Sequence, residues 1–330
     1  MATRDQVTWF TSRQDGLPAR EEIDGVQIVR RGSELTTRLA APAFARSARW
    51  DLIIEEINTL PYLSHLWAAS STLLFIPQLA RDVWWYEAPR TVAPVGYAVE
   101  RLYLARYRAQ NVITISHSTC EDLRALGFTA PIHVIPMAVS TPALGALPIK
   151  EPAGRLVSVG RLVPSKRFDH VIRAFAKIRA QVPAATLTVI GDGPQRQELL
   201  QLAGACGLRN AIEFTGRVPE TEKGELLQAA DVLVAASVRE GWGLTTTEAA
   251  RLGTPAVVYD VPGFRDSVIH ERTGLLTAPN PHSLATAVIR VLRDSALYQS
   301  LRERGWRAWC DLSWDRTAAA FERALPRADS

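Results

Sequence analysis

Short apolar runs alternate with longer amphipathic stretches through the second half of the chain. In the stretch 167–180, apolar residues recur every three or four positions, as expected of a helix with one buried face. The short runs are continuous, which is typical of strands buried on both faces of a sheet. They lie at 156–160, 187–190, 212–215, 232–236 and 255–259. Strands that alternate with helices in this way predict a parallel sheet covered by helices on both faces.

The first half repeats this pattern less regularly. Its helices are predicted at 93–107 and 119–126, the second with a capping box formed by Ser118 and Glu121. Its strands are predicted at 7–10, 27–30, 52–54, 72–76, 112–115 and 133–135. Three terminal helices are predicted at 284–292, 297–309 and 314–325. The fold class is therefore α/β, with two doubly wound, Rossmann-like parallel-sheet domains.

The segment 141–148 is rich in proline and glycine and is predicted to be the linker between the two domains. We expect an N-terminal domain over residues 1–143 and a C-terminal domain over residues 144–312. The last stretch, 313–330, is expected to form a helix that packs back on the N-terminal domain.

Composition narrows the functional classes. The 330 residues are 47% hydrophobic and 22% charged, and the net charge is only +4. A charge this small, spread over both halves, is evidence against nucleic-acid binding. The three cysteines, Cys120, Cys206 and Cys310, form no Cys-x-x-Cys pair, which favours a reducing compartment over disulfides or a zinc site. The apolar stretch 63–80 is interrupted by polar residues and is too short to span a membrane.

Two loops carry candidate chemistry. The first follows the strand at 156–160 and holds Arg161 and Lys166 just before a helix. Two cations beside a helix N-terminus suit a diphosphate, although both side chains could equally be solvated loop charges. Ligands of open parallel sheets bind beyond the carboxyl ends of the strands, which is where this loop lies.

The second loop follows the strand at 232–236 and contains two glutamates, Glu240 and Glu248. Between them, Gly241 and Gly243 allow the backbone to approach a ligand closely, and the N–H groups of Gly243 and Leu244 open a helix toward an anion. Carboxylates accept hydrogen bonds from sugar hydroxyls. The alternative is a glycine-rich turn in which Glu240 only complements the helix dipole.

These segments together resemble the donor domain of family 4 of the retaining glycosyltransferases. The resemblance covers about residues 110–315, and the motifs are specific in combination. They are 159–166 (VGRLVPSK), 189–194 (VIGDGP), 214–218 (FTGRV), 240–248 (EGWGLTTTE), 249–257 and 263–276. The resemblance implies the GT-B fold, in which two Rossmann-like domains face a cleft. A weaker resemblance to a bacterial subgroup covers 50–61, 83–89 and 114–119.

The resemblance also implies an activity and roles. The chain would transfer a sugar from a nucleoside diphosphate sugar to an acceptor hydroxyl, with retention of configuration and without a metal or other cofactor. Arg161 and Lys166 would hold the diphosphate, Glu240 the transferred sugar and Glu248 the ribose. The remaining donor-binding positions would be Gly160, Gly216, Val218, Gly241, Trp242, Gly243 and Leu244. The catalytic set would be Glu240, Arg161 and Lys166.

The acceptor would be a glycan, a lipid-linked glycan or a small molecule, and the chain would be cytoplasmic, with peripheral contact to the inner membrane face and a role in polysaccharide biosynthesis. We expect Trp84, Trp85 and Tyr86 to pack in the core, the alternative being a membrane-interface or acceptor-binding patch. For Arg101, Arg106 and Arg108 we expect a solvated helix face, the alternative being contact with an anionic membrane surface.

Two departures from the family pattern leave other functions open. Family members normally begin with a strand, a glycine-rich loop and a helix that precede a strand such as 7–10, so we expect this unit to be missing. Many relatives also carry a histidine near position 77, where this chain has Pro77. A nucleotide-sugar-binding protein without catalysis is therefore one alternative, and a nucleotide-sugar epimerase is another.

Overall fold

The computed structural model describes residues 5–326. The predicted ranges 1–143 and 313–330 extend into residues 1–4 and 327–330, which lie outside the described residues. The architecture is α/β with parallel sheets, as predicted. No helix in the described part of the chain has the length and apolar character needed to cross a bilayer.

The first half contains two sheets. A three-stranded sheet has the order β1-β3-β2, in which β1 is parallel and β2 antiparallel to β3. A four-stranded sheet has the order β4-β5-β6-β7, and all its strands are parallel. The elements are β1 (Val7–Thr11), β2 (Arg20–Ile23), β3 (Val26–Arg30), α1 (Thr37–Ala45), β4 (Leu52–Glu56), α2 (Ser64–Trp67), β5 (Ser71–Phe75), α3 (Trp84–Glu87), α4 (Ala93–Leu104), β6 (Val112–Thr114), α5 (His117–Ala125) and β7 (Ile132–Val134).

The second half contains one parallel sheet of six strands, in the order β10-β9-β8-β11-β12-β13. Helices connect its strands, and their buried residues form one apolar cluster with the sheet. The elements are β8 (Arg155–Val159), α6 (Phe168–Gln181), β9 (Thr186–Ile190), α7 (Arg196–Ala205), β10 (Ile212–Gly216), α8 (Glu220–Ala229), β11 (Val232–Ala235), α9 (Leu244–Arg251), β12 (Ala256–Tyr259), α10 (Phe264–Ser267), β13 (Gly274–Thr277), α11 (Pro281–Arg293), α12 (Ser295–Trp309) and α13 (Trp314–Ala324).

The last helix returns to the first half. Phe321 on α13 packs against the cluster around Leu73 and Ile113 in the four-stranded sheet. Thr317 donates a hydrogen bond to the carbonyl of Pro136 at 3.0 Å. The side chain of Arg251, on α9, donates to the carbonyls of Thr141 and Trp309, so α9 is joined to both the linker and α12.

Several local predictions were wrong. The helix α5 begins at His117 and is capped by Ser116, whose hydroxyl accepts from the N–H of Thr119, so the expected Ser118 and Glu121 capping box does not form. Trp85 and Tyr86 are 52% and 38% exposed rather than packed in the core.

A cavity of about 890 Å³ separates the two sheets of the first half. Residues 8–12, which cover most of β1, line one side of it, and residues 52–56, the whole of β4, line the other. Phe44 and Trp50 also border it. The cavity is bordered by the first half and by Phe321 of α13, and its lining includes none of the predicted donor-binding residues.

Candidate functional site

The strand order of the six-stranded sheet locates a crevice. The chain runs from β8 outward through β9 and β10, and then returns to the other side of β8 to form β11, β12 and β13. Neighbouring parallel strands whose connections leave in opposite directions open a crevice at their carboxyl ends. Here the two strands are β8 and β11, and the loops that follow them are the two loops singled out in the sequence.

Glycines line the same edge of the sheet. The N–H of Gly160 donates to the carbonyl of Ile190, and the N–H of Gly191 donates to the carbonyl of Gly216. A Cβ atom on Gly191 would lie 2.0 Å from the oxygen of Gly160, so no side chain fits between these two loops. The carboxyl ends of β8, β9 and β10 therefore present closely stacked backbone, which leaves room for a ligand directly above it.

Lys166 and Glu240, which lie 74 positions apart, meet in the crevice. The Nζ of Lys166 is 2.5 Å from the Oε1 of Glu240, and the two side chains are 24% and 17% exposed. The hydroxyl of Ser237 donates to the same carboxylate oxygen at 2.6 Å. The cluster thus holds a cation and an anion side by side, both reachable from solvent. Such a pair can offer the cation to a phosphate and the carboxylate to a hydroxyl group.

Arg161 is the second cation of this loop. Its side chain is exposed and forms no ion pair within residues 5–326. The neighbouring backbone is fixed, since the N–H of Leu162 donates to the carbonyl of Asp192 at 3.0 Å. The loop backbone is therefore held in place, while the exposed guanidinium is available to bind an incoming anion.

The backbone around Glu240 is tightly constrained. Its N–H donates to the carbonyl of Pro262, and a Cβ atom on Gly263 would lie 2.3 Å from the backbone carbonyl oxygen of Glu240. Gly243 has φ +92° and caps α9, so the first N–H groups of that helix face the crevice end of the loop. Only glycine adopts this conformation without strain, which explains why Gly243 occupies this position.

Glu248 lies on α9 and is largely buried. Its Oε1 is 3.1 Å from the Nζ of Lys223 on α8, and its Oε2 has no hydrogen-bond partner among the described residues. Burial raises the pKa of Glu248, and the nearby Lys223 partly offsets this effect. A buried carboxylate oxygen without a donor is costly, so it favours a ligand that can donate a hydrogen bond.

The other predicted positions are distributed as follows. Trp242 is buried, its Nε1 donates to the hydroxyl of Thr247 at 2.9 Å, and its ring meets that of Trp309. Its side chain therefore packs in the fold, and only its backbone belongs to the loop. Gly216 is the last residue of β10 and Val218 follows the strand; both are partly buried, whereas Leu244 is 38% exposed.

The first half closes over this crevice. The carboxylate of Glu87 accepts a hydrogen bond from Ser165, beside Lys166. A Cβ atom on Gly241 would lie 3.1 Å from the carbonyl oxygen of Pro77. The site is therefore bounded by both halves of the chain. Pro77 contributes its backbone to this boundary.

Two polar contacts fix how the halves meet. Arg239, whose side chain is 6% exposed, forms an ion pair with Asp122 at 2.6 Å. Asp266 accepts hydrogen bonds from the N–H groups of His117 and Ser118, which are the first residues of α5. A carboxylate at a helix N-terminus is favourable because the N–H groups there lack intrahelical partners.

Comparisons with known proteins show what the second half is similar to. The sequence profile described as Glycosyl transferases group 1 matches residues 144–307, which include both loops of the crevice. The match supports the resemblance at the level of the glycosyl transferases group 1.

Individual glycosyltransferases match the same part of the chain. The chain is 34% identical over 218 residues to 2-deoxystreptamine glucosyltransferase of Streptomyces kanamyceticus, covering 62% of this chain and 56% of that protein. It is also 32% identical over 174 residues to a GDP-mannose-dependent alpha-(1-6)-phosphatidylinositol monomannoside mannosyltransferase of Mycobacterium tuberculosis. That match covers 50% of this chain and 45% of the mannosyltransferase. The matches thus span about half the length of these relatives.

The fold is shared with a solved structure over nearly the whole chain. Sucrose-phosphate synthase of Thermosynechococcus elongatus superposes with a TM-score of 0.77 at 24% identity, covering 96% of this chain and 88% of that one. This likeness shows that the fold is GT-B, as predicted.

Two polar contacts of the site were not predicted. Ser237 comes at the carboxyl end of β11, and its position after a buried strand was the available signal. Lys223 lies on a helix rich in charged residues, where nothing in the sequence separates it from its neighbours. Only the packing of α8 against α9 brings Lys223 to Glu248.

Proposed function

We propose that this chain is a retaining glycosyltransferase that moves a sugar from a nucleoside diphosphate sugar to an acceptor hydroxyl. The observation that carries the proposal is the contact between Lys166 and Glu240 at the point where the strand order of the sheet reverses. Ligands of such sheets bind there. The family match of residues 144–307 supports glycosyl transfer.

In the proposed complex, the diphosphate lies over the loop after β8. Arg161, exposed and without an ion pair in the described part of the chain, and Lys166 would neutralise its charge, together with the N–H groups that open α9. The phosphate gains negative charge as its bond to the sugar breaks. Fixed cations and N–H groups stabilise that charge in the transition state more than in the ground state. The proposed chemistry therefore uses no metal or other cofactor.

The two glutamates would hold the hydroxyl groups of the donor. Glu240 would accept from the transferred sugar, since its carboxylate lies beside the phosphate-binding lysine. Glu248 would accept from the ribose through Oε2, the oxygen that lacks a donor among residues 5–326. Gly216 and Val218 would border the base.

The proposed reaction passes through an oxocarbenium-like transition state, as in glycoside hydrolysis. The bond between the anomeric carbon and the leaving phosphate oxygen breaks, and the acceptor oxygen bonds to the same face of the sugar. The acceptor proton passes to the leaving phosphate. Retention thus requires no covalent bond between the sugar and the protein.

The acceptor belongs to one of three classes: a glycan, a lipid-linked glycan or a small molecule. The relatives' names cover two of them, a 2-deoxystreptamine and a phosphatidylinositol mannoside. A lipid-linked acceptor requires the chain to meet a membrane surface, so peripheral membrane contact is part of this proposal. The first half of the chain, which borders the crevice, would bind the acceptor.

Thermal unfolding of the purified chain tests the donor site. We would compare uridine, guanosine and adenosine diphosphates and their sugars, because a ligand that binds only the folded state raises stability by RT ln(1 + [L]/Kd), about 2.7 kcal/mol at a hundredfold excess over Kd. We expect a shift with one base. A cooperatively unfolding chain that shifts with none of them would contradict the proposal.

A further inference from the structure

The cavity between the two sheets of the first half runs along the edges of two strands. Residues 8–12 and residues 52–56 all line it, so every position of β4 and most of β1 border the same space. Successive side chains of a strand point to opposite faces of the sheet, and only the edge of the strand lies beside all of them. The cavity therefore borders the edge of β1 on one side and the edge of β4 on the other.

Backbone groups of β1 point into the cavity. In a parallel pair, the N–H and C=O of one residue face one neighbouring strand, and those of the next residue face the opposite side. The C=O of Thr11 accepts from the N–H of Arg31, which follows β3, so Thr11 faces that strand. Thr8 and Phe10 have the opposite parity, so their N–H and C=O groups face the cavity. Within residues 5–326, β1 pairs with β3 alone.

Backbone groups of β4 point into the same cavity from the other side. The N–H of Ile57 donates to the carbonyl of Phe75 at the end of β5, so Ile57 faces β5. Ile54 and Glu56 have the opposite parity, and their N–H and C=O groups face the cavity. Among the described residues, β4 pairs with β5 alone. The cavity thus lies between two strand edges that each retain a row of donors and acceptors.

The two ends of the three-stranded sheet differ in composition. The edge strand β2 has the sequence REEI, in which three of four side chains are charged. The edge strand β1 has the sequence VTWFT, without a charge or a proline. Charged side chains and prolines are the usual means by which an edge strand avoids pairing with other chains. The edge of β2 is protected in this way, whereas the edge of β1 is open to a further strand.

Aromatic and aliphatic side chains surround the open edges. Phe44 of α1 stacks on Phe10 with ring centroids 4.6 Å apart, and the ring of Trp50 lies 5.6 Å from that of Phe44. On the two edge strands, Trp9 and Ile54 are 57% and 39% exposed. Apolar side chains exposed on both strands that border one cavity indicate a surface that a further apolar element covers.

We propose that this cavity binds an extended, apolar segment of a partner polypeptide, which pairs with β1 on one side and β4 on the other. An extended segment carries N–H and C=O groups along both sides, so it can pair with both edges at once. Addition of a strand to an exposed edge is a recurring mode of peptide recognition. The segment is apolar throughout, because rings from α1 and from α13 both line the cavity and strands covered on both faces are continuous apolar runs.

Filling the cavity joins the two sheets of the first half into one. The three-stranded sheet ends at β1 and the four-stranded sheet ends at β4, so one inserted strand makes them continuous. The inference does not depend on the proposed function, since the cavity lining includes none of the predicted donor-binding residues.

Fluorescence anisotropy with synthetic peptides tests the proposal on the full chain. The probe is a labelled peptide of alternating valine and isoleucine that matches the five residues of β1 and of β4, with lysines at both ends for solubility. Two further peptides carry backbone N-methyl groups at alternate residues, at the odd positions in one and at the even positions in the other. Each set of methyl groups removes the donors on one side of the extended peptide and leaves the other side intact.

A pair of proline variants tests the protein side of the contact. Ile54→Pro removes an N–H that faces the cavity and leaves the bonds to β5 in place. Glu22→Pro is the matched control. The C=O of Ala19 accepts from Arg30, so the N–H of the exposed Glu22, on the outer edge of the same sheet as β1, faces away from β3.

We expect the unmethylated peptide to bind the unaltered chain and to raise its midpoint of thermal unfolding. A hydrogen bond contributes about two- to tenfold in Kd, and each edge offers at least two, so either methylated peptide should bind at least about tenfold more weakly. Ile54→Pro should weaken the unmethylated peptide by about two- to tenfold or more, and Glu22→Pro should leave its affinity unchanged. If Ile54→Pro does not fold, the methylated peptides decide on the unaltered chain.

Four results overturn the proposal. Absence of binding by the unmethylated peptide would show that the cavity takes no strand, and equal binding by all three peptides would show apolar burial without strand pairing. Weakening by only one methylated peptide would show pairing with a single edge. Self-association of the chain that Ile54→Pro abolishes would assign the cavity to a contact between two copies.

Discussion

Replacing Lys166 with alanine isolates the phosphate-binding part of the donor site. The Nζ of Lys166 lies 2.5 Å from the Oε1 of Glu240, so the variant removes one of the two cations assigned to the diphosphate and leaves Glu240 with the Ser237 hydroxyl. A hydrogen bond to a charged group contributes about 1.5–3 kcal/mol, which corresponds to about 10- to 150-fold in Kd. The loss should appear for ligands that carry the diphosphate.

Calorimetric titration of paired ligands measures this specificity. The unaltered chain and Lys166→Ala are each titrated with a nucleoside diphosphate and with the corresponding nucleoside, which has the same base and ribose. We expect the diphosphate to bind about 10- to 150-fold more weakly to the variant, and the nucleoside to bind about equally to both. Turnover should fall further, by about 10²- to 10³-fold, because the same contact stabilises the leaving group.

Lys177→Ala is the matched control for this experiment. Lys177 is exposed on α6, the helix that follows the Lys166 loop, and changing it alters net charge by the same amount. We expect no change in either affinity. Equal losses for nucleoside and diphosphate in Lys166→Ala would refute the assigned role, since they would show a distorted site. An unchanged diphosphate affinity would refute it as well.

Three further predictions follow from the same site. Gly263→Ala should abolish nucleotide binding and lower the midpoint of thermal unfolding, because the new Cβ would lie 2.3 Å from the backbone carbonyl oxygen of Glu240. Gly207→Ala, at φ +71° with open space around it, should cost only about 1 kcal/mol of backbone strain in urea unfolding. Arg239→Met should lower the free energy of unfolding by about 1–3 kcal/mol, because Asp122 would lose its partner. Adding Asp122→Asn should recover part of that loss, and additive effects would contradict the pairing. Glu248→Gln should weaken binding of a ribonucleotide about tenfold while hardly changing that of its 2′,3′-dideoxy analogue, and equal weakening of both would remove the ribose contact.

The second half of the fold followed closely from the sequence. Its strands are continuous apolar runs such as 232–236, and its helices have clear apolar faces, so local pattern and burial agree. Several elements were not predicted, and for three of them the physical reason is clear. The strand β2 is antiparallel and mostly exposed, so it lacks an apolar run, and α1 contains Pro42, which argues against a helix. The strand β13 has only four residues.

The way in which the strands of the first half pair into sheets was harder to predict. The strands β1 and β4 were recognised individually, but their membership of two separate sheets depends on tertiary pairing. The same limit applies to the candidate site. Arg161, Lys166 and Glu240 could be proposed as site residues because they follow buried strands. The contact between Lys223 and Glu248 could not be predicted, because the two residues lie on different helices and are 25 positions apart in the chain.

A transfer assay tests the central claim most directly. The full chain is incubated with the nucleotide sugar that stabilises it and with a glycolipid or glycan acceptor extract, and released nucleoside diphosphate is measured alongside the anomeric configuration of the product by NMR. We predict release that depends on the acceptor, a product of retained configuration, and loss of turnover by at least about 10²-fold in Glu240→Gln. A chain that binds the nucleotide sugar but releases no diphosphate with any acceptor, or a variant that turns over normally, would contradict the account.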